Sequence, residues 1–463
     1  MVFSGILFLI YFLPIFFLGY YLVPNKHKNH WLVLASLLFY FWGAPVFIMY
    51  ALFTALIDYL IAKKLSRTKN KRLLFLGILL NIGLLLYFKY FNFFTHLLND
   101  LYEIFDIETQ EWSTVILPIG ISFLTFQKVS YLIDVYRGDC SPQTKFRNYL
   151  LFIFLFPQLI AGPIVRYKDI KNQLTHRIYF NLDQVYQGFF RFTIGLSKKV
   201  IIANPLGFYA DEKFNLDLSE MDSSTAVLLM LTYTFQIYFD FSGYSDMAIG
   251  LGKMLGFKLP ENFNFPYISK SITEFWRRWH ITLGNWMKDY LYIPLGGNKN
   301  GNAAMYRNLI LVFTISGFWH GAGLNFIFWG LFHGVFLVLE RLVLLRVLLK
   351  FKFVSIIYSF IIVSIGWVFF RVTEFSDGVD LLASVLKCDF DIPDISKRVI
   401  SMLLLAFFFS FVGVRFENEL TQFQDNLTSR NIWFKTLICL ALLILCLAEL
   451  FASSFNPFIY FKF

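Results

Sequence analysis

SGFWHGAGLNFIFWGLFHG, residues 316–334, contains no Lys, Arg, Asp or Glu. A run of about 20 predominantly apolar residues reads as a membrane span. Yet this one carries two imidazoles, His320 and His333. An ionisable side chain at membrane depth is costly, which makes it a functional candidate. His320 is the sharper case. Gly317, Gly321 and Gly323 flank it, so backbone or substrate is expected to come close. Imidazole suits general-base work near neutrality, and a dry site keeps the ring neutral, ready to take a proton from a hydroxyl. The competing reading of His320 is a hydrogen-bonded core histidine. His333, four residues after Trp329 and beside Gly334, is expected to pack or to make a structural hydrogen bond.

The rest of the chain agrees with a bilayer setting. Of 463 residues 57% are hydrophobic, and only 16% are charged, against roughly 25% in a soluble domain. Apolar runs fall at about 3–23, 31–62, 73–95, 113–133, 148–165, 185–203, 226–250, 308–340, 353–370, 399–414 and 436–454. The runs 31–62 and 308–340 are too long for one helix, so each is expected to be a pair or a bent hairpin. The expected fold is all-α and polytopic, with ten to thirteen transmembrane or re-entrant helices. No polar stretch is long enough to fold alone, so one membrane-embedded domain is expected over 1–463. The opening MVFSGILFLIYFLPIFFLGYYLVP lacks a basic region and a small-residue cleavage site and reads as a retained span.

The net charge of +10 would suggest nucleic acid in a soluble protein. Here it follows from the basic cytoplasmic loops of membrane proteins, and no nucleic-acid partner is expected. Residues 63–72 hold six basic residues and no acid, and 253–307 hold eight against three acids. Both are expected in the cytoplasm. The acid-rich loops 96–112, 204–225 and 372–396 then fall outside. Residues 148–165 lie between basic loops and carry Pro157, Gly162 and Pro163. A segment that enters and leaves on one side is expected there, beside an internal cavity. The four cysteines lack metal spacing, and no metal site is expected.

Between 253 and 307 lies KSITEFWRRWHITLGNWMKDYL, residues 270–291. On a helix at about 100° per residue, Ile272, Phe275, Trp276, Trp279, Leu283, Trp286, Met287 and Tyr290 gather in an arc of about 120°, with Ile281 the exception. Lys270, Glu274, Arg277, Arg278, Asn285 and Lys288 lie opposite, and His280 sits at the arc's edge. The pattern predicts one amphipathic helix in the cytoplasmic interface, with Trp at headgroup depth. Arg277 and Arg278 read either as headgroup anchors or as a site for a phosphorylated cytosolic donor. His27, His30, His96 and His176 read as ordinary interfacial residues. Asp240 and Asp246, in YFDFSGYSD (238–246), are expected to be structural. No G-x-S-x-G elbow, phosphate loop or H-E-x-x-H is present.

Several of these stretches resemble the membrane-bound O-acyltransferase family. They are QIYFDFSGYSDMAIG (236–250), LPENFNFPYISKSITEFWRRWHITLGNWMKDYLYIPLGGNKNG (259–301), GFWHGAGLNFIFWGLFHG (317–334) and the terminal FNPFIYFKF. The closest likeness is to the bacterial branch of alginate O-acetylation, and the block 236–334 is its specific part. The resemblance implies a ring of tilted helices around a funnel or tunnel in the bacterial inner membrane. It implies a cytosolic acyl thioester as donor, acetyl-CoA or an acyl carrier, and no resident cofactor. It implies an extracytoplasmic polysaccharide acceptor reached through a secreted, SGNH-hydrolase-like partner transferase. The family's W-H-G histidine falls on His320, and its R-W-H histidine falls on His280, as catalytic residues. The D-alanylation branch is similar around R-W-H, but YLYIPLGGN (290–298) resembles the acetylation branch. Two alternatives stand beside acetyl transfer: D-alanyl or other acyl transfer to teichoic acid or peptidoglycan, and a transporter or flippase without bond chemistry.

Overall fold

The computed structural model describes residues 3–348, 350–412, 429–453 and 455–456. Among these the regular structure is helical, with no β-strand. That is the expected all-α fold, and its reason is physical. In lipid every backbone N–H and C=O must be satisfied internally, which a helix does within its own segment. Among the described residues four helices are long and apolar enough to cross a bilayer: Lys71–Ile104, Leu324–Leu344, Lys352–Arg371 and Ile432–Ala452. Their outer faces expose Leu76 and Leu79, Phe353 and Val354, Leu437 and Ile444. Apolar surface on this scale marks a membrane-facing belt.

Both over-long runs resolve into pairs. Residues 31–62 become the helices Lys28–Gly43 and Ile48–Thr68, and 308–340 become Gly301–His320 and Leu324–Leu339. The helix expected from residue 113 begins at Ile121. The acidic loop 372–396 contains a helix, Phe375–Leu386, that hydropathy placed in a loop. It is amphipathic rather than apolar: Leu381 packs with Val368, Val372 and Leu229, while Asp377 and Asp380 are only half-buried. The end of the 399–414 run, and FNPFIYFKF beyond Asn456, lie outside the described residues.

The chain forms two compact units, one over residues 12–179 and one over the rest. In the first unit the segment 148–165 is broken as its prolines suggest. The helix Phe146–Phe154 ends where Leu155 turns to ψ 108°, and a single turn, Phe156–Leu159, follows. The backbone is then irregular to Val165, and every residue from Leu151 to Val165 is buried. Gln158 Nε2 donates to Phe152 O across the break. Irregular backbone is thus wrapped in protein, as burial away from water demands.

The second unit is organised on the Ser223–Met254 helix, buried over most of its length. It packs along Leu182–Ser197, and glycines set how closely. A Cβ on Gly195 would stand 2.5 Å from Gly243 O, and one on Gly188 would stand 2.6 Å from Gly250 O. The two pairs are one heptad apart on both helices, so a single small-residue seam runs along the crossing. Gly317 and Gly330 repeat the device between Gly301–His320 and Leu324–Leu339, with clashes at 2.2 and 2.3 Å. Replacing Gly195 by Val is therefore expected to abolish monodisperse, detergent-stable protein in size-exclusion chromatography. Gly83, whose added Cβ meets nothing within 4 Å, is the control. Gly83→Ala should be neutral or stabilise by about 0.5–1 kcal/mol, since Ala suits a helix interior better.

Candidate active site

The segment 270–291 is not the single interfacial helix that its periodicity predicts. It is two short helices, Ile272–Arg278 and Ile281–Met287, with an elbow at Trp279–His280. Its tryptophans point into protein: Trp279 and Trp286 are buried.

The first short helix is held at its N-terminus, where free N–H groups need acceptors. Ser271 Oγ accepts from Glu274 N at 3.0 Å. The carboxylate of Glu340, from the far end of the second motif helix, accepts from Ile272 N at 2.5 Å and from Thr273 N at 3.1 Å. It also accepts from Thr273 Oγ1 at 3.0 Å. A carboxylate at a helix N-terminus is favoured twice, by hydrogen bonds and by the helix dipole.

At the elbow His280 adopts the left-handed conformation, φ 45° and ψ 51°. Asn262 imposes it. Its backbone O accepts from Ile281 N at 2.9 Å. Its Oδ1 accepts from Thr282 N at 3.2 Å and from Thr282 Oγ1 at 2.8 Å. The same Oδ1 lies 3.2 Å from His280 Nδ1. Because a backbone N–H can only donate, that amide atom is the oxygen. His280 Nδ1 must then carry the hydrogen, which leaves Nε2 as the basic nitrogen. Burial pushes the imidazole down to about 3, so the ring is neutral near pH 7.

His320 closes the Gly301–His320 helix, before a three-residue turn into Leu324–Leu339. Its ring lies among Trp319, Trp329 and Phe370, with centroids 4.7, 5.3 and 5.2 Å away. Of the backbone or substrate expected beside the glycines, it is protein that comes close. A Cβ on Gly321 would strike the Phe326 ring, and Gly317 is filled by the partner helix. The glycines close the hairpin that presents His320. Residual access grades the three buried histidines: His320 keeps 7%, His280 2% and His333 none.

Trp329 is the hub. Its ring contacts His320, His333 at 5.1 Å, Trp276 at 5.4 Å and Trp367 at 5.9 Å. Trp367 in turn stacks near Trp279, at 4.8 Å, the neighbour of His280. One aromatic cluster therefore joins the two motif histidines, 40 residues apart in sequence. His333 packs in it, 5.0 Å from Trp276, as expected. The hydrogen bond that was the other expectation is absent, for neither ring nitrogen has a partner among the described residues.

The two arginines part company. Arg278 donates to Glu274 Oε1 at 3.0 Å and to Asn264 O at 3.1 Å, which ties the 260s loop to the short helix. Arg277 is exposed. Asp240 and Asp246 are ion-paired, with Lys199 at 2.8 Å and with Lys198 at 2.6 Å. Arg191 also donates to Asp246, at 2.7 Å. Sequence reasoning missed Glu340 and Asn262. Glu340 carried a readable signal, a lone carboxylate ending an apolar run; Asn262 carried none.

Comparison with known proteins decides the class. The profile of the membrane-bound O-acyltransferase family matches residues 141–373. A probable alginate O-acetylase AlgI of Pseudomonas putida is 41% identical, with both chains fully covered. The chain belongs to the membrane-bound O-acyltransferase family. It is therefore a membrane O-acyltransferase, and the transporter alternative falls. A peptidoglycan O-acetyltransferase of Helicobacter pylori is 37% identical over 100% of this chain and 98% of that one. A teichoic acid D-alanyltransferase of Bacillus subtilis is 34% identical over 47% of this chain and 57% of that one.

The buried elbow gives an acid signature. The folded state holds His280 neutral down to about 3, whereas an unfolded histidine takes its proton near about 6.5. Stability contributed by this group is complete above about pH 6.5 and is lost as pH falls towards 3. His280→Gln should flatten that acid slope. Thermal midpoints of wild type and variant in detergent, from about pH 7.5 down to about pH 5, check it.

Proposed function

We propose that this acyltransferase moves an acetyl group from a cytosolic acyl thioester, acetyl-CoA or an acyl carrier, to an extracytoplasmic polysaccharide. The observation that carries the reading is the aromatic cluster that unites His280 and His320, one neutral and deeply buried, the other with residual access. His320 takes the proton of an attacking hydroxyl. The oxygen bonds to the thioester carbonyl carbon, the C–S bond breaks, and the proton passes to the departing thiolate. Indole and phenyl rings around His320 keep water away from the thioester. His280, with Nε2 basic, lies on the donor side. Arg277, exposed two residues before the elbow, meets donor phosphates, while Arg278 holds the loop.

Acetyl is favoured over D-alanyl because the O-acetylating relatives match along the whole chain, and the D-alanylating ones along about half. The two full-length relatives act on different polymers, so the acceptor class is proposed as a polysaccharide of the envelope or beyond. A multi-pass placement in a bacterial inner membrane, with a secreted SGNH-hydrolase-like partner that completes the transfer, accompanies this reading.

The test supplies labelled acetyl-CoA to inside-out vesicles and follows label into polymer. His320→Ala should lower transfer by about 10²–10⁴-fold, the usual contribution of a positioned base, with insertion and yield unchanged. His280→Ala should impair it less. Arg277→Glu should raise the donor KM by roughly tenfold, the loss of one charge-assisted contact. Full transfer by His320→Ala would remove that residue from the chemistry, and label appearing only from activated D-alanine would replace the acyl group.

A further inference from the structure

A cavity of about 50 Å³ lies within the unit of residues 12–179, among the helices Lys28–Gly43, Ile48–Thr68, Lys71–Ile104 and Ile121–Arg137. Its wall is largely apolar, with Ala51, Leu84, Leu124 and Phe88. One charged side chain reaches it, Lys128, which is 4% exposed. Lys128 Nζ donates to Thr54 Oγ1 at 2.5 Å and stands 3.6 Å from Asp58 Oδ2. Asp58 is fully buried behind it and accepts from Asn81 Nδ2 at 2.8 Å. An ammonium has three N–H donors, and two directions are taken. Charges at membrane depth are expensive and mark function by default. Structural pairing alone would not require a space beside the ammonium, since interiors pack closely.

We propose that this cavity binds a short monocarboxylic acid of acetic or propionic size. The carbonyl oxygen accepts from Lys128 Nζ, and the alkyl end lies against Ala51, Leu84 and Leu124. Size and polarity both argue for it. A water-sized group needs about 10–15 Å³ of such space, so roughly three to five heavy atoms fit. One ammonium on a mostly apolar wall, with the polar side chains of Thr54, Asn81 and Thr125 also lining it, selects a small ligand with a hydrogen-bonding head and a short apolar tail. Charge adds a condition. The Asp58–Lys128 pair is neutral overall, and a bare carboxylate would leave a buried net charge of −1, which is strongly disfavoured. The ligand therefore enters with one proton, held on its own carboxyl group or on that of Asp58. Binding strengthens as pH falls. The site is separate from the residues of acyl transfer and does not rest on the proposed reaction.

The experiment uses the full chain in detergent, with ¹³C-acetate as the probe in saturation-transfer NMR and sodium acetate in thermal unfolding. Propionate, hexanoate and chloride at equal ionic strength are the comparisons, at about pH 5.5 and about pH 7.5. Acetate and propionate should raise the melting temperature, with the logarithmic concentration dependence of ligand linkage. The rise should be larger at the lower pH, and hexanoate and chloride should give none. Ala51→Leu, which fills the cavity, should remove the effect. So should Asp58→Asn combined with Lys128→Met, which deletes both charges together and leaves neither one buried alone. No acetate effect in the wild type, as for a cavity that holds water only, overturns the proposal. So does an equal effect of chloride, or an effect that survives in either variant. The wild-type arms decide even if a variant fails to fold. Labelled acetyl transfer, measured on the same preparations, reports on the reaction separately.

Discussion

A carboxylate at the end of an apolar helix has to find hydrogen-bond donors, and Glu340 finds them on the short helix that leads to His280. Its oxygens take two backbone N–H groups and a hydroxyl. Leu324–Leu344 is also the helix that carries Trp329 and His333, directly after the turn from His320. One ionic cap therefore couples the two motif segments. Without it, the N-terminus of Ile272–Arg278 would be buried with unsatisfied donors, at a cost of about 1–3 kcal/mol for each group. The aromatic cluster fills the space that this cap defines. Trp276 and Trp279 come from one side, Trp329 and Trp367 from the other, and the tilted and edge contacts among them are the favoured ring geometries.

The fold was legible where hydropathy alone decides. The runs 31–62 and 308–340 had to be divided, as a pair or a bent hairpin, because no single helix of that length suits a bilayer, and the prolines of 148–165 had to break a helix. The amphipathic segment was misread for a definable reason. Periodicity is a local quantity, and the helix through 270–291 is interrupted by Asn262, eight residues before it begins. Three hydrogen bonds to Asn262, one from backbone to backbone and two to its side chain, outweigh the local preference for a continuous helix. The resulting positive φ at His280 is a conformation that few non-glycine residues adopt, and such positions persist only when surrounding structure over-determines them.

The site was legible in part. His320 and His280 were identified by their setting and by resemblance, and the structure brings both into one cluster. The glycines around His320 signalled that backbone or substrate comes close, and what comes close is a helix. A small residue in an apolar helix signals that something comes close, and in a membrane protein that something is usually another helix. The seam of Gly188, Gly195, Gly243 and Gly250 makes the same point in a region with no chemistry assigned.

The distribution of charge sets the buried imidazoles apart from the buried carboxylates. Each buried carboxylate among the described residues is tied to donors: Asp58 to Lys128 and Asn81, Asp134 to Lys168, Asp240 to Lys199, Asp246 to Arg191 and Lys198, and Glu340 to a helix start. Each of these carboxylates is engaged in holding structure. The ring of His280 is in the opposite condition. Its Nδ1–H is fixed by a neutral amide, and its surroundings, Phe241 at 4.8 Å among them, are aromatic. Its neutral state needs no counter-charge, and its second nitrogen keeps its basicity. In a site walled by rings, a group that is neutral at rest and charged only in passing meets the desolvation cost only in the charged state.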